Sequence, residues 1–211
     1  MKLFCFGFGQ VAQSFVDHLL NFNVDLRLTT TSRKNTSELT FKNLKYFNYE
    51  FNENDFDKDL TNPLQESDHI LISVPPINGK DMFIERLVKN NLNLQKVKWL
   101  TYLSSTSVYG NHDGAWVDED STTNPQTLAG KNRLNVEKDW LSIGIKNSLP
   151  LQIFRLSGIY SDRYNAITRL RNDQKFVVEK KDHFFSRIHV KDIACLLYTS
   201  DAADEGLGVD L

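Results

Sequence analysis

The sequence has 211 residues, of which 40% are hydrophobic and 25% charged, so it can bury the core of one large globular domain. Its formal net charge of -2 predicts no basic surface for a nucleic acid, and no apolar run approaches the roughly 20 residues that span a membrane. The two cysteines, Cys5 and Cys195, form neither a disulfide framework nor a metal-ligand pattern. These features together predict a cytoplasmic protein without a metal site.

The N-terminal stretch predicts a strand, a glycine turn and a helix. Residues 2–6 have the length and apolar content of a buried strand, and after the turn the apolar side chains recur at helical spacing. Residues 7–12 fit G-x-G-x-x-G/A, in which the second glycine lets main-chain amides approach a pyrophosphate. This predicts a dinucleotide site, although an ordinary α/β turn also uses glycine. The predicted contacts are Gly7, Phe8, Gly9, Gln10 and Val11.

The end of the second predicted strand, at 25–30, carries the residues that choose the cofactor. In dinucleotide folds an acidic side chain there binds the ribose 2′-hydroxyl, whereas an arginine accommodates a 2′-phosphate. This sequence has Ser32, Arg33 and Lys34 and no carboxylate, which favours NADP over NAD. The alternative is that Arg33 and Lys34 are solvated loop charges.

The rest of the sequence alternates predicted strands and helices, as in a doubly wound α/β fold with a parallel sheet. Residues 36–43 allow only a short helix, and Pro63 argues against a helix in a later connection. Further strands are predicted at 45–51, 68–74, 97–103 and 151–156, a hairpin at 175–178 and 184–188, and helices at 81–90, 128–141, around 167–170 and from 189. In the helix at 81–90, the side chains predicted to face inward are Phe83, Leu87 and Val88.

Polar or special residues follow two of these strands, at the edge where an open α/β sheet binds its ligand. Ser73 and Pro75 are candidate cofactor contacts, and simple strand termination is the alternative. Residues 104–107 are four consecutive hydroxyl residues, which suit a site that hydrogen-bonds a hydroxyl or carbonyl oxygen. Ser104 is counted among the candidate cofactor contacts.

Five motifs occur in the order found in the extended short-chain dehydrogenase/reductases. They are the N-terminal glycine turn, SSTSVYG at 104–110, VDEDSTTNP at 117–125, RLSGIYS at 155–161 and SRIHVKDIA at 186–194. The chain resembles the NAD-dependent epimerase/dehydratase group of that family, and more narrowly an atypical branch that loses part of the active site. The resemblance covers 1–194. It implies a Rossmann-like NAD(P)-binding domain at 1–160 and the start of an incomplete substrate-cap region at 161–194. Within 161–194 the chain could also return to the main domain.

The resemblance also implies roles for single residues. Ser105 matches the family's substrate-binding catalytic serine or threonine. The family's Tyr-x-x-x-Lys, which lies before a glutamate that matches Glu137, falls on Ala129 and Arg133. The family tyrosine transfers a proton to or from the substrate oxygen, and the lysine lowers the pKa of that tyrosine and holds the nicotinamide ribose.

The departure at Ala129 removes the family's proton donor, because a methyl side chain has no proton to give. Arg133 could still supply positive charge and ribose hydrogen bonds, although its guanidinium does not reproduce an ammonium. A replacement acid could be Tyr109, Asp118 or Glu119. Each of these also suits a structural role, Tyr109 in packing and the two acids in fixing their loop.

Residues 195–211 resemble the translation of a sequencing-adapter end. We therefore expect a different native continuation after Ala194, so that the chain is a fragment; a genuine amphipathic helix is the alternative.

Two functions compete on this sequence. One is an NADP-dependent oxidoreductase or epimerase/dehydratase-like enzyme that acts on a hydroxyl or carbonyl of a small polar molecule such as a nucleotide sugar. The other is a non-catalytic NADP-binding redox sensor or interaction module, which the loss of the tyrosine at Ala129 favours. The expected partner is a small-molecule substrate rather than a nucleic acid or a membrane, and a homodimer is left open.

Overall fold

A computed structural model describes residues 1–51, 58–90, 92–172 and 184–204 of the chain. A seven-stranded sheet with the strand order β3-β4-β2-β1-β5-β6-β7 forms its centre. The strands are β1 (Lys2–Phe6), β2 (Arg27–Ser32), β3 (Ser37–Phe41), β4 (Leu44–Glu50), β5 (His69–Ile72), β6 (Trp99–Ser105) and β7 (Leu151–Leu156). Within the described residues its neighbouring strands pair in parallel, apart from the antiparallel pair β3 and β4. The predicted doubly wound, Rossmann-like sheet is therefore confirmed.

Helices cover both faces of this sheet. They are α1 (Gln10–Asn21), α2 (Thr61–Glu66), α3 (Met82–Lys89), α4 (Leu128–Asn147) and α6 (Val190–Asp204), whereas α5 (Ala166–Arg171) contains no buried residue. The central strand β1 has apolar side chains on both faces of the sheet, because successive side chains of a strand point to opposite faces, and both faces must therefore be covered. Leu3 and Cys5 pack in the core beneath α1 and α6, whereas Phe4 and Phe6 pack in the core beneath α2, α3 and α4.

The segment between β2 and β4 is a strand, so the short helix predicted at 36–43 is wrong. Exposure alternates along β3, with Ser37, Leu39 and Phe41 partly buried and the residues between them exposed. That period of two, together with the β-favouring Thr40 and Phe41, fits a strand better than a helix. The connection after β2 is therefore a β-hairpin whose antiparallel strand β3 closes this edge of the sheet.

Two other predictions about helices need correction. Pro63 does not prevent a helix, because it lies in the first turn of α2, where a backbone N–H has no partner within the helix. In α3, Phe83 and Leu87 are buried as predicted, but Val88 is 65% exposed. An i to i+4 pair such as Phe83 and Leu87 shares one helix face, and Val88 lies about 100° away from Leu87 around the axis.

The C-terminal part contains a second, smaller sheet. In it, β8 (Gly158–Tyr160) pairs in parallel with β9 (Arg187–His189). The predicted partner at 175–178 of a hairpin lies outside the described residues. Helix α6 then returns to the main sheet and packs against α1, where Leu197 is fully buried and Tyr198 contacts the rings of His18 and Phe22. Across the described helices, none combines the length and the apolar character that crossing a membrane requires.

Candidate functional site

The glycine turn lies between β1 and α1, at the C-terminal edge of the parallel strands. Gly7 has a φ of 91°, which side chains rarely tolerate, and a Cβ there would lie 2.8 Å from both Ser73 Oγ and Val74 Cγ2. Its backbone N–H donates to Thr31 Oγ1 on β2 at 2.9 Å. The first glycine is therefore required by the fold itself, because the turn is pressed against the ends of β2 and β5.

Gly9 is required by no such contact. It precedes the first turn of α1 in extended conformation, and a Cβ added there would meet no described heavy atom within 4 Å. The N–H groups of the first helical turn have no partner inside a helix, and no side chain among the described residues caps this one. The first turn also contains no acidic residue. Gly9 thus keeps open a space beside unpaired amides at the positive end of the helix dipole, which fits a dinucleotide diphosphate.

The neighbours of Gly9 are anchored on either side of this space. The Phe8 ring packs against Phe41 and Tyr46 of the hairpin, with ring centroids 5.5 and 5.2 Å apart. Gln10 Oε1 accepts a hydrogen bond from Ser161 Oγ at 3.3 Å. The Val11 side chain is buried in the core, so Val11 can offer only its main-chain amide to a ligand.

The two predicted contacts after β5 differ in their surroundings. Ser73 Oγ lies 3.2 Å from the carbonyl oxygen of Phe6 and 3.0 Å from that of Gly7, to which it donates. This hydroxyl therefore holds the glycine turn in place. Pro75 is exposed at the same edge of the sheet.

The end of β2 presents two cations and a hydroxyl. Arg33 and Lys34 are exposed, and within the described part of the chain neither side chain forms an ion pair. Ser32 Oγ accepts the backbone N–H of Lys34 at 3.2 Å. Glu50, which our sequence reasoning missed, ends β4 directly opposite Ser32. The only sequence signal for it was a carboxylate at the end of the third parallel strand.

The hydroxyl-rich end of β6 contains a buried charged network. Glu137 is 2% exposed and forms an ion pair with Arg155 on β7, with Nη2 and Oε2 2.9 Å apart. Ser104 Oγ donates to Glu137 Oε1 at 2.5 Å, and Arg155 Nη1 donates to the Tyr109 hydroxyl at 3.1 Å. Arg155 also lies over the Tyr109 ring, 4.9 Å from its centroid. Ser104 and Tyr109 are thus both hydrogen-bonded within the protein.

Ser105 has a different role from its neighbour Ser104. It is partly buried, and its Oγ accepts the backbone N–H of Ser107, which caps the 3-10 helix at Thr106–Val108. A hydroxyl that accepts one hydrogen bond still has its own proton to donate. Ser105 can therefore bind a substrate oxygen, as the resemblance implies.

Helix α4 packs closely on this turn and brings the next two candidate positions to it. A Cβ at Gly130 would lie 2.6 Å from the carbonyl oxygen of Ser107, so only glycine allows this approach. Ala129 is exposed one residue earlier. One turn later, Arg133 Nη1 donates to the carbonyl oxygen of Leu103 at 2.6 Å and to the Tyr102 hydroxyl at 3.3 Å.

The surroundings of Arg133 are unusually polar for a core. Burial raises the pKa of Tyr102 to about 12, so its hydroxyl stays protonated. Asp81 caps α3 through the amides of Phe83 and Ile84 and accepts from Trp140 Nε1 at 3.1 Å. Burial raises the pKa of this carboxyl, and its hydrogen bonds and the charge of Arg133 oppose that rise. Arg133 is therefore held against the end of β6.

The acidic loop residues that could replace the missing tyrosine make contacts of their own. The Asp118 carboxylate accepts the Ser121 hydroxyl at 2.6 Å, and this hydrogen bond lowers the pKa of Asp118. The Glu119 carbonyl oxygen accepts a hydrogen bond from Arg155 Nη1. Over the described ranges, no three His, Cys, Asp or Glu side chains cluster so that they could hold a metal ion.

Comparison with solved structures places the chain in a family. A functionally unknown conserved protein from Silicibacter pomeroyi DSS is 30% identical, with a TM-score of 0.73 over 95% of this chain and 67% of that protein. The chain belongs to the family of this protein. No protein-family model matches the sequence, and no curated protein matches it.

Other neighbours of this family share its fold at lower identity. UDP-glucuronic acid 4-epimerase from Bacillus cereus in complex with NAD is 19% identical, with a TM-score of 0.65 over 99% of this chain and 75% of its own. dTDP-glucose 4,6-dehydratase from Bacillus anthracis in complex with NAD is 15% identical, with a TM-score of 0.69 over 93% and 70%. The predicted resemblance to the NAD-dependent epimerase/dehydratase group is thereby confirmed for the fold.

Proposed function

We propose that this chain binds a nicotinamide dinucleotide and acts as an epimerase/dehydratase-like oxidoreductase on a hydroxyl or carbonyl of a small polar substrate such as a nucleotide sugar. The observation that carries the proposal is the open space at Gly9, beside the unpaired amides that begin α1. The solved epimerase and dehydratase that share the fold were both obtained with NAD, which supports this cofactor class.

Each part of the site would then have a distinct task. The amides of residues 10–12 would hold the diphosphate, with the helix dipole adding to their attraction for an anion. Ser105 would donate its hydroxyl proton to the substrate oxygen, and its own orientation is set by the Ser107 N–H. The nicotinamide, when bound, accepts or donates a hydride.

For the adenosine end we propose a preference for NADP. The exposed Arg33 and Lys34 would supply two positive charges to a 2′-phosphate, and guanidinium binds phosphate with good geometry. Glu50 opposes this preference, because it contributes one negative charge at the end of the adjacent strand. Two cations against one carboxylate leave a local excess of positive charge.

A second candidate function is a non-catalytic NADP-binding sensor or interaction module. It is favoured by Ala129, which has no proton to transfer, and by the internal hydrogen bonds of Tyr109 and Arg133. Losing a positioned acid typically lowers a rate by a factor of about 10² to 10⁴. The enzyme proposal therefore requires another acid or a slow reaction.

Nucleotide binding and turnover separate these two functions. Calorimetric titration of the purified protein with NADPH and NADH tests the cofactor site, and we expect NADPH to bind more tightly, with the difference lost in Arg33→Ala. Absence of binding would remove both functions. Turnover of NADPH over a panel of nucleotide sugars and carbonyl compounds then tests catalysis.

The double variant Ala129→Tyr/Arg133→Lys restores the family pair and is the matched comparison for that panel. If the chain is an enzyme, the unmodified protein turns over a substrate, and Ser105→Ala abolishes this turnover. If it is a sensor, the unmodified protein binds NADPH without turnover.

A further inference from the structure

Asn48 is a buried polar side chain on the strand next to the edge of the sheet, at a position where an apolar residue is the usual occupant. It lies on β4 and is 1% exposed, and its neighbour Thr30 on β2 is 0% exposed. A buried amide is costly unless it is hydrogen-bonded, because it loses its contacts with water. The hydrogen bonds of Asn48 therefore indicate what the amide does there.

The Asn48 amide is hydrogen-bonded to β2 through its oxygen and to the loop that follows β2 through its nitrogen. The Thr30 hydroxyl donates to Asn48 Oδ1 at 3.0 Å. Asn48 Nδ2 donates to the carbonyl oxygens of Lys34 at 3.2 Å and Asn35 at 3.4 Å. The orientation of the amide is unambiguous, because a reversed amide would point its oxygen at two carbonyl oxygens. Asn48 thus joins the interior of β2 to the backbone of the cation-bearing loop, residues 33–36.

The hairpin geometry explains why this loop needs such an anchor. In a standard βαβ unit a helix would follow β2, whereas here β3 turns back antiparallel to β4, with Ser37 opposite Asn48. The loop must reverse the chain within residues 33–36, and side chains of β3 and β4 bond its carbonyl oxygens, with Ser37 Oγ donating to Asn35 and Asn48 Nδ2 to Lys34 and Asn35. Thr36 Oγ1 accepts the N–H of Glu50 at 2.9 Å and completes the attachment to β4.

The loop follows a strand end that is hydrogen-bonded to the glycine turn. The Gly7 N–H donates to Thr31 Oγ1, two residues before Arg33. A shift of the loop backbone would therefore move the Arg33 and Lys34 charges relative to the phosphate-binding turn. A charge-assisted hydrogen bond depends on distance and direction, so a small displacement would weaken binding of a phosphate ester.

We propose that Asn48 is a positioning residue that sets the discrimination between nucleotides with and without a 2′-phosphate, by holding the loop of Arg33 and Lys34 against β4. The inference rests on the proposed dinucleotide function. It assigns a specificity role to a buried residue that cannot itself touch a nucleotide.

The test compares variants by their NADPH and NADH dissociation constants, measured by calorimetry. Thr30→Val/Asn48→Leu replaces both buried polar partners with apolar groups, which keeps the core filled and removes the two donations to the loop. Leu87→Ala is the control, because it destabilises the buried face of α3, away from this loop. Arg33→Ala measures the contribution of the charge itself.

We expect Thr30→Val/Asn48→Leu to weaken NADPH binding about tenfold and NADH binding by less than about twofold, as for loss of one charge-assisted hydrogen bond. Adding Arg33→Ala to that variant should then weaken NADPH binding by much less than Arg33→Ala does alone. Leu87→Ala should lower the melting temperature and leave the ratio of the two constants unchanged. Without nucleotide, amide hydrogen exchange should become faster at Lys34 and Glu50, whose N–H groups bond to Ser32 and Thr36.

The outcomes distinguish this inference from the proposed function. If the unmodified protein binds neither nucleotide, both are overturned. If it prefers NADPH and Thr30→Val/Asn48→Leu keeps the same preference, the role of Asn48 is overturned and the proposed function remains. Equal weakening of NADPH and NADH would show that Asn48 contributes only to general stability.

Discussion

The two glycines of the turn make a sharp test of the site, because a side chain should cost little stability at Gly9 and much more at Gly7. Gly9 has a φ of -83° and a ψ of -170°, which any residue can adopt, and a Cβ there meets no described atom within 4 Å. Gly9→Val should therefore fold with a stability within about 1 kcal/mol of the unmodified protein. Its side chain would occupy the space beside the amides of α1, so dinucleotide affinity should fall at least about 100-fold.

Gly9→Ser strengthens the test, because stability and binding should move in opposite directions. Serine is a better helix N-cap than glycine, by a few tenths of a kcal/mol, so the melting temperature should not fall. The added side chain should still weaken NADPH binding. Melting temperature by circular dichroism and affinity by calorimetry are the two measurements.

Gly7→Ala is the matched opposite case. Its left-handed φ costs a non-glycine residue about 1–2 kcal/mol, and its Cβ would also crowd Ser73 and Val74 at 2.8 Å. At about 2–4 °C for each kcal/mol in a chain of this size, the melting temperature should drop by at least about 2–8 °C. Undiminished NADPH binding by Gly9→Val would refute the assignment of the diphosphate to this turn.

Three further predictions concern the rest of the chain. Glu137→Gln leaves the partly buried Arg155 without its charged partner, so it should lower the free energy of unfolding, measured in urea, by about 3–5 kcal/mol. Glu137→Met/Arg155→Met should recover much of this loss, because it removes both charges. Equal losses in the two variants would contradict this prediction. Burial alone would lower the pKa of His69, but its hydrogen bonds to Asp201 and Asp68 outweigh burial and raise this pKa. The contacts of protonated His69 with the two carboxylates therefore stabilise the fold fully below about pH 6.5, and this contribution is lost as the pH rises through the raised pKa. Asp201→Asn should therefore lower the melting temperature more at pH 5.5 than at pH 9, and an equal effect at both would argue against an ion pair. The source genome should encode a different sequence after Ala194, and recovery of residues 195–211 in independent clones would contradict the adapter origin.

The parallel strands of the main sheet and the main helices could be predicted because each has a recognisable local pattern of apolar residues. β7 was predicted with its observed bounds, 151–156, and α4 with its start at Leu128, although the helix extends to Asn147. The glycine turn was recognisable because its G-x-G-x-x-G/A pattern lies within six consecutive residues. The hairpin at β3 and β4 was missed, because five residues of alternating exposure are too short a pattern to exclude a helical turn.

The polar interior could not be predicted from the sequence in the same way. Nothing in the local sequence indicates that Asn48 and Thr30 are buried partners. They can form a hydrogen bond only once β2 and β4 pair, with Thr30 opposite Asn48. Glu137 and Arg155 are 18 residues apart and meet only because β7 lies beside β6 beneath α4. A buried charge in a sequence looks like a surface charge until its partner is known.

The hydrogen-bonding groups near Gly9 and those near Ser105, at the same edge of the sheet, differ in whether they already have partners within the protein. Near Gly9 the first-turn amides have no capping side chain among the described residues and lie beside open space, and the two loop cations form no ion pair with any residue the structure describes. Near Ser105 the guanidinium of Arg133 and the hydroxyl of Tyr109 are already hydrogen-bonded within the protein. Donors that lack protein partners are available to a ligand without breaking existing bonds, whereas paired donors must first exchange a partner. Nucleotide binding therefore follows more directly from this geometry than catalysis does, and Ser105, whose hydroxyl keeps a proton to donate, is the residue that we propose for substrate binding.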